Sequence, residues 1–434
     1  MCQPQPRALH PQPCEVYRRR FFKGFAGCLI DTVAIVIHSN DGSDIESPGQ
    51  RPRHRRWLLL CACIFVALGG LIVFRGMFPQ IPPGVSRRDY DEASAEFRHQ
   101  FNRDGDHFDV LMTLAEIAAR NEDFGKAIAC YQRIPPEHVR YGRSARYEEG
   151  LLLAQTDQVQ RAEDSFSGFL KALENGIPLS ERQVVHARRW LSLIFSVELR
   201  HEERHKVLKT LVQDDQADVN DAKQYYFESL LIWQSAFGSG RVGDFLKLDP
   251  MNRHLRNAEA RYLTGQGHLE EARRRLTTLY LEDPQDLRTI AFLLECDFEM
   301  NDWSAFSAVF SKVPEFREDE PWLLTQSRGQ WALHQQEWQE AEKHFRYMLE
   351  IDPPNATCLM GLTRALSEQG KKAESETLMQ RSLVMAKLRV SLAAVSTDNA
   401  KAARDIAKLS RQIGMEDAAT MFDQFAATMS TEGR

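Results

Sequence analysis

The chain has 434 residues, 43% of them hydrophobic and 27% charged, and carries a formal net charge of -6. That composition excludes a disordered tail and suits one or two globular domains. Residues 1–75 hold ten Lys/Arg against five Asp/Glu. The remainder is therefore net acidic and has no sustained basic stripe, which argues against a nucleic-acid partner.

Residues 1–56 read as a cytoplasmic tail of low order, or as translation upstream of the true start. Pro4, Pro6, Pro11 and Pro13 break any periodicity, and Asp31 interrupts the apolar stretch from Phe25 to Ile37. Trp57 to Phe74 then runs without a charge. As a helix it covers about 27 Å, close to the hydrocarbon thickness of a bilayer, and is expected to span it. Arg51, Arg53, Arg55 and Arg56 precede it, so the positive-inside rule keeps the amino end cytoplasmic and exports the rest, to the periplasm in a bacterium. A cleaved signal peptide competes, but Phe74, Arg75 and Gly76 offer no small-x-small site. Residues 75–107 form a linker and leading helix. Five of the eight cysteines fall in the first 63 residues. Cys130, Cys296 and Cys358 lie far apart and are expected to be buried, reduced thiols.

From about residue 106 the pattern is one of amphipathic helices of about twelve to fifteen residues with no strand alternation, so the fold class is all-α. Pieces about 34 residues long share features at matching offsets. Gly267, Leu269, Ala272, Leu276, Leu279, Asp283 and Pro284 run parallel to Trp338, Ala341, Phe345, Met348, Asp352 and Pro353. Starts near 108, 143, 187, 219, 253, 287, 322 and 356 reproduce the phase, with Ala127 and Tyr131, Ala162 and Phe166, Ala272, and Ala341 and Phe345 at corresponding places. Phe306 stands where a small residue is expected, and Gly238, Gly240 and Gly243 weaken one helix.

This pattern resembles the tetratricopeptide repeat family over residues 108–389, with 390–434 left as C-terminal capping helices. The resemblance implies a right-handed superhelical solenoid of stacked helical hairpins. Its small residues let two helices cross closely, and Pro284 and Pro353 end second helices. It also implies a groove lined by first helices, presenting Asn257, Arg261, Arg288, Gln326, Gln330 and Arg364, whose guanidinium forks could grip carboxylates. The family's dicarboxylate clamp is not reproduced, since Met112, Glu116, Tyr147 and Leu151 occupy its first positions.

Two motifs invite a chemical reading. His201, Glu202, Glu203, Arg204 and His205 match H-E-x-x-H, which in zincins sets two imidazoles around zinc beside a water-activating Glu. The repeat phase puts His201 at an inter-helix turn, so the five residues need not share a helix. The charged Glu203 and Arg204 suit a solvated helix start instead. Asn102, Asp104, Asp106 and Asp109 suggest a calcium loop, but His107 and Thr113 stand where Gly and Glu are needed. Asp106 or Asp109 is better read as a helix cap, as are Asp218 and Asp221 within the acidic stretch from Asp214.

The sequence thus predicts a non-catalytic, membrane-tethered interaction scaffold holding protein or peptide partners, without metal or cofactor. A zinc protease built on His201 to His205, or a glycan- or lipid-binding solenoid, are the alternatives. The second would use Trp303, Trp322, Trp331 and Trp338 as exposed aromatics, whereas packing between repeats is the expectation for all four.

Overall fold

The computed structural model describes residues 108–174, 178–231, 236–396 and 399–432. The span expected at Trp57–Phe74, the linker to 107 and the Asn102–Asp106 stretch lie outside them. No helix among the described residues is long and apolar enough to cross a membrane. Among the described residues, eighteen α-helices and one short 3-10 turn follow one another, with no strand.

The chain divides into two compact parts, Met1–Ile134 and Pro135–Arg434. In the first, α1 (Phe108–Arg120) and α2 (Phe124–Gln132) form a hairpin closed around Ala115, Ala127 and Tyr131, all at most 2% exposed. Asp123 caps α2 by accepting from the Lys126 amide, while Asp109 lies inside the first turn of α1.

The second part contains α3 (Gly142–Gln155), α4 (Val159–Glu174), α5 (Glu181–Val197), α6 (His201–Gln213), α7 (Val219–Tyr226), the 3-10 turn Glu228–Leu230 and α8 (Ala236–Leu248). It continues with α9 (Arg253–Gly265), α10 (Leu269–Glu282), α11 (Leu287–Glu299), α12 (Trp303–Phe310), α13 (Trp322–His334) and α14 (Trp338–Ile351). Four helices close it: α15 (Ala356–Glu368), α16 (Lys372–Ala394), α17 (Ala400–Gln412) and α18 (Glu416–Glu432).

From α9 onward, consecutive helices pair as hairpins, and the first helices α9, α11, α13 and α15 also pack side by side. Side chains explain where the helices begin. Asn252, Asp286, Asp302, Asn355 and Asn399 each accept a hydrogen bond from a first-turn amide, satisfying donors that a helix start would otherwise leave orphaned. One conformational device sets the hairpin turns. Glu122, Asp157, Leu199, Gly267, Asn301, Gln336, Gly370 and Gly414 all take positive φ between the two helices of a pair. Only three of them are glycine.

The hairpins interlock through a small residue facing an aromatic one. Ala162, Ala272 and Ala341 are fully buried, as is Phe306, around which the shortened α12 packs with Trp303, Phe310 and Trp331. Phe345 of α14 sits against Gly329 of α13 and Gly361 of α15, and a Cβ on Gly329 would approach its ring to 2.6 Å. Gly150 and Phe166 repeat the arrangement between α3 and α4, where a Cβ would approach to 2.8 Å. Both pairs are sixteen residues apart in sequence. Of the other singled-out residues, Pro353 is half-buried and Pro284 exposed.

Regular stacking is interrupted once. The helices following residue 219 do not form a hairpin with each other: α8 packs on α5 and α9, whereas α7 packs on α6 and on the C-terminal α18. Gly238, Gly240 and Gly243 do not break α8, which runs through all three.

Candidate functional site

The displaced segment determines what lies along the row of first helices. Its residues 200–231 include α6, α7 and the 3-10 turn, and they touch that row and the C-terminal helices beyond it. On α6, Glu203 takes two hydrogen bonds from Arg288 of α11, at 2.9 and 3.0 Å, and Glu202 accepts from the Trp322 amide at the start of α13, at 2.9 Å. His205 lies between the rings of Tyr225 and Trp322, at 4.6 and 5.0 Å. Further along, Ser229 donates to Asp352 at 3.0 Å, and Lys223 donates to the Leu392 carbonyl at 3.3 Å. Val219, Ala222, Phe227 and Leu230 complete one apolar cluster with Leu359, Met385, Leu388, Leu392, Ile406 and Phe422.

A chain of polar side chains runs through this junction. Arg261 of α9 binds Glu295 at 2.8 Å and points Nη1 at His201 Nε2, 2.7 Å away. A guanidinium can only donate, so that ring nitrogen accepts, and His201 presents its proton on Nδ1 to Glu228. Glu228 also accepts from Arg204, whose side chain is only 3% exposed and which reaches Gln224 as well. Burial works against the Glu228 carboxylate, yet Arg204 and then His201 hold it below its ordinary range. Arg200 is gripped by Glu163 at 2.7 Å, Glu198 at 3.0 Å and Glu203 at 3.2 Å, with its guanidinium over the Phe195 ring. Glu198 is fully buried, and that desolvation lifts it to about 7 against the pull of Arg200. Burial, aided by Arg200 and Arg288, lowers His254 to about 4.

Two expectations are corrected here. His201, Glu202, Glu203, Arg204 and His205 do share one helix, because the left-handed turn falls at Leu199 and α6 begins at His201. Nor is the segment solvated: Arg200 and Arg204 are buried and every charged member is engaged. The two imidazoles diverge, one into the Glu228–Arg261 relay and one between aromatic rings. Among the described residues, no three His, Cys, Asp or Glu side chains are placed to hold a metal ion.

The residues expected to line the groove fall into two sets. Asn257, Arg261 and Gln330 are buried; Asn257 accepts from Thr289 at 3.0 Å, and Arg288 is committed to Glu202 and Glu203. Gln326 is half-buried with its oxygen 3.7 Å from Cys358 Sγ, and Arg364 is exposed with no carboxylate partner among the described residues. Arg200, Arg204 and Glu228 were not anticipated from sequence. Their only signal is that Arg200 and Arg204 stand one helical turn apart beside the buried Leu208 and Leu211. Three of the four tryptophans pack within the array: Trp331 stacks on Phe306 at 5.5 Å, Trp303 on His334 at 3.9 Å and Trp322 meets His205; Trp338 is half-buried, and its main-chain carbonyl accepts from Gln369.

Asp352 is the group through which the junction is expected to respond to pH. Burial first and the Glu228 charge second push it up to about 7, against the hydrogen bonds from Ser229 and Asn355. A free aspartate gives up its proton near pH 4, so between about 4 and 7 the folded chain holds a proton that the unfolded chain has lost. Stability conferred by this group therefore falls as pH rises through that window and is level on either side. Asp352→Asn should remove that fall. Urea midpoints taken every half unit are expected to show the variant gaining on the native chain from pH 4 to 7 and holding a constant lead above.

Residues 332–384 match the model of the tetratricopeptide repeat family. No curated relative matches the chain. Among solved structures, it is similar to a tetratricopeptide repeat protein from Parabacteroides merdae, at 17% identity over 72% of this chain and 98% of that one, with a TM-score of 0.28. The human IFIT1 dimer with m7Gppp-AAAA aligns at 10% identity over 80% and 96%, with a TM-score of 0.33. The APC/C hetero-tetramer Cut9-Hcn1 aligns at 12% over 79% and 85%, with a TM-score of 0.27. With its helices in stacked hairpins and this family match inside the stack, the chain is a tetratricopeptide-like helical-repeat protein.

Proposed function

We propose that the chain is a non-catalytic scaffold for protein–protein interaction, held to a membrane by Trp57–Phe74 with the amino end cytoplasmic and the repeats exported. Its partner is an acidic helix or peptide laid along the row of first helices. The observation carrying this reading is the way the row treats the chain's own α6: Arg288 Nη2 donates to both carboxylate oxygens of Glu203, and Arg261 Nη1 donates to His201 Nε2, so guanidinium groups of the row hold a helix that carries a carboxylate. Arg364, exposed on the same row, extends that chemistry to a partner's carboxylate.

The test uses the full chain in its own cells, with a photo-crosslinking side chain at position 364 and, as a control, at Lys343, which is 64% exposed on a second helix. A discrete protein adduct from 364 and none from 343 is expected, together with release from the membrane fraction when residues 57–74 are deleted. Equal labelling from both positions, or retention of the deletion variant on membranes, contradicts the reading.

A further inference from the structure

Helix α16 is 23 residues long, against 14 for the corresponding α14, so it extends beyond the hairpin it closes. Its inward face carries Met385, Leu388 and Leu392, all at most 4% exposed. Its opposite face leaves Met379 57%, Leu383 58% and Val390 71% exposed, with Ala386 also at the surface. These four positions follow the 4-3-4 spacing that keeps one seam facing a partner helix over several turns. A continuous apolar stripe of this kind marks an interaction site.

We infer that this stripe is the seam between two copies of the chain, their α16 helices antiparallel. Two features select that occupant and orientation. Volume is the first: antiparallel pairing about the midpoint sets Leu383 against Ala386 of the second copy and Met379 against its Val390, large beside small, whereas parallel pairing sets alanine against alanine and leaves a void. Charge is the second. Lys372 and Glu374 offset each other in the first turn, with Glu374 held by Arg346, which leaves Glu376 as the exposed charge near the start and Lys387 and Arg389 near the end. Antiparallel helices bring Glu376 within a turn of Arg389 of the second copy; parallel helices set Glu376 beside Glu376 and Arg389 beside Arg389. A seam of four side chains per copy is small, so the dimer dissociates in roughly the micromolar range.

Sedimentation equilibrium of the full chain in density-matched detergent, at about 1 to 100 μM, reads this directly. The native chain is expected to pass from one copy to two across that range. Leu383→Glu and Val390→Glu, both at exposed positions that leave helicity by circular dichroism unchanged, should each raise the dissociation constant by roughly 100-fold. Glu376→Arg alone should weaken the dimer several-fold, and adding Arg389→Glu should restore it, which no nonspecific apolar association would do. A mass of one copy at 100 μM, as when residues 1–107 of the same chain cover the stripe, overturns the inference. So does a dimer indifferent to Leu383→Glu and Val390→Glu, or one that the paired charge reversal fails to restore.

Discussion

Glu228→Gln is expected to destabilise the chain by about 3–5 kcal/mol, measured as a shift in urea unfolding at pH 7. The 3-10 turn delivers this carboxylate into the junction, where it is 8% exposed and faces Arg204 and His201. Taken alone, its burial is unfavourable. The larger effect comes from what its loss leaves behind: the Arg204 guanidinium, its side chain only 3% exposed, would keep its charge while facing a neutral amide in place of the carboxylate. Replacing Arg204 and Glu228 together by Met and Leu should recover most of the loss, because it removes both charges instead of stranding one. The effect should also follow pH. Glu228 is held below the ordinary carboxylate value, so the stability it confers is present above about pH 4.5 and is lost as pH falls through its lowered value. The gap between native and variant chains should therefore narrow in acid. A gap of under 1 kcal/mol at pH 7 would place Glu228 outside the relay.

Phe345→Ala is expected to cost about 3–5 kcal/mol, and Gly361→Ala about 1–3 kcal/mol, by opposite faults. Phe345 is fully buried in the cluster shared by α13, α14 and α15, so truncation opens a cavity among Ala332, Met348, Leu362 and Leu366. Gly361 fails by excess, since a Cβ there would meet the Phe345 ring, and Gly329 crowds the same ring from the other helix. Because one ring links these sites, their effects should not add. Phe345→Leu combined with Gly361→Ala is expected to cost less than the two changes summed, by at least 0.5 kcal/mol in thermal or urea unfolding. Strict additivity would show that α14 does not seat its aromatic between two glycine-bearing helices.

The sequence made the stack legible where one residue does one job. Ala162, Ala272 and Ala341 recur in phase because close helix crossings tolerate little else, and the buried Phe166 and Phe345 occupy the facing place. Two kinds of information were hidden. The hairpin turns depend on a positive φ carried by residues as unlike as Leu199, Asp157 and Gln336, so composition does not announce them. The shift of the turn to Leu199 then moved the start of α6 by two residues and placed the whole H-E-x-x-H segment on one helix. Long-range pairing was the second. Glu203 and Arg288 are 85 residues apart, and Ser229 and Asp352 are 123 apart. Neither partner has a local pattern that distinguishes a buried ion pair from a solvated helix face, so the row of first helices read as an open polar groove while part of it is taken by the chain itself.

That the segment from α6 to the 3-10 turn crosses to the C-terminal helices is tested most directly by a double-mutant cycle on Phe227 and Phe422. Both rings are fully buried and their centroids lie 5.8 Å apart, across 195 residues of sequence. With each replaced by Leu singly and together, the expected coupling in urea unfolding is about 0.5–1.5 kcal/mol. A coupling indistinguishable from zero, with both single variants folded, would mean the segment does not rest on the C-terminal helices and that the row of first helices stands open.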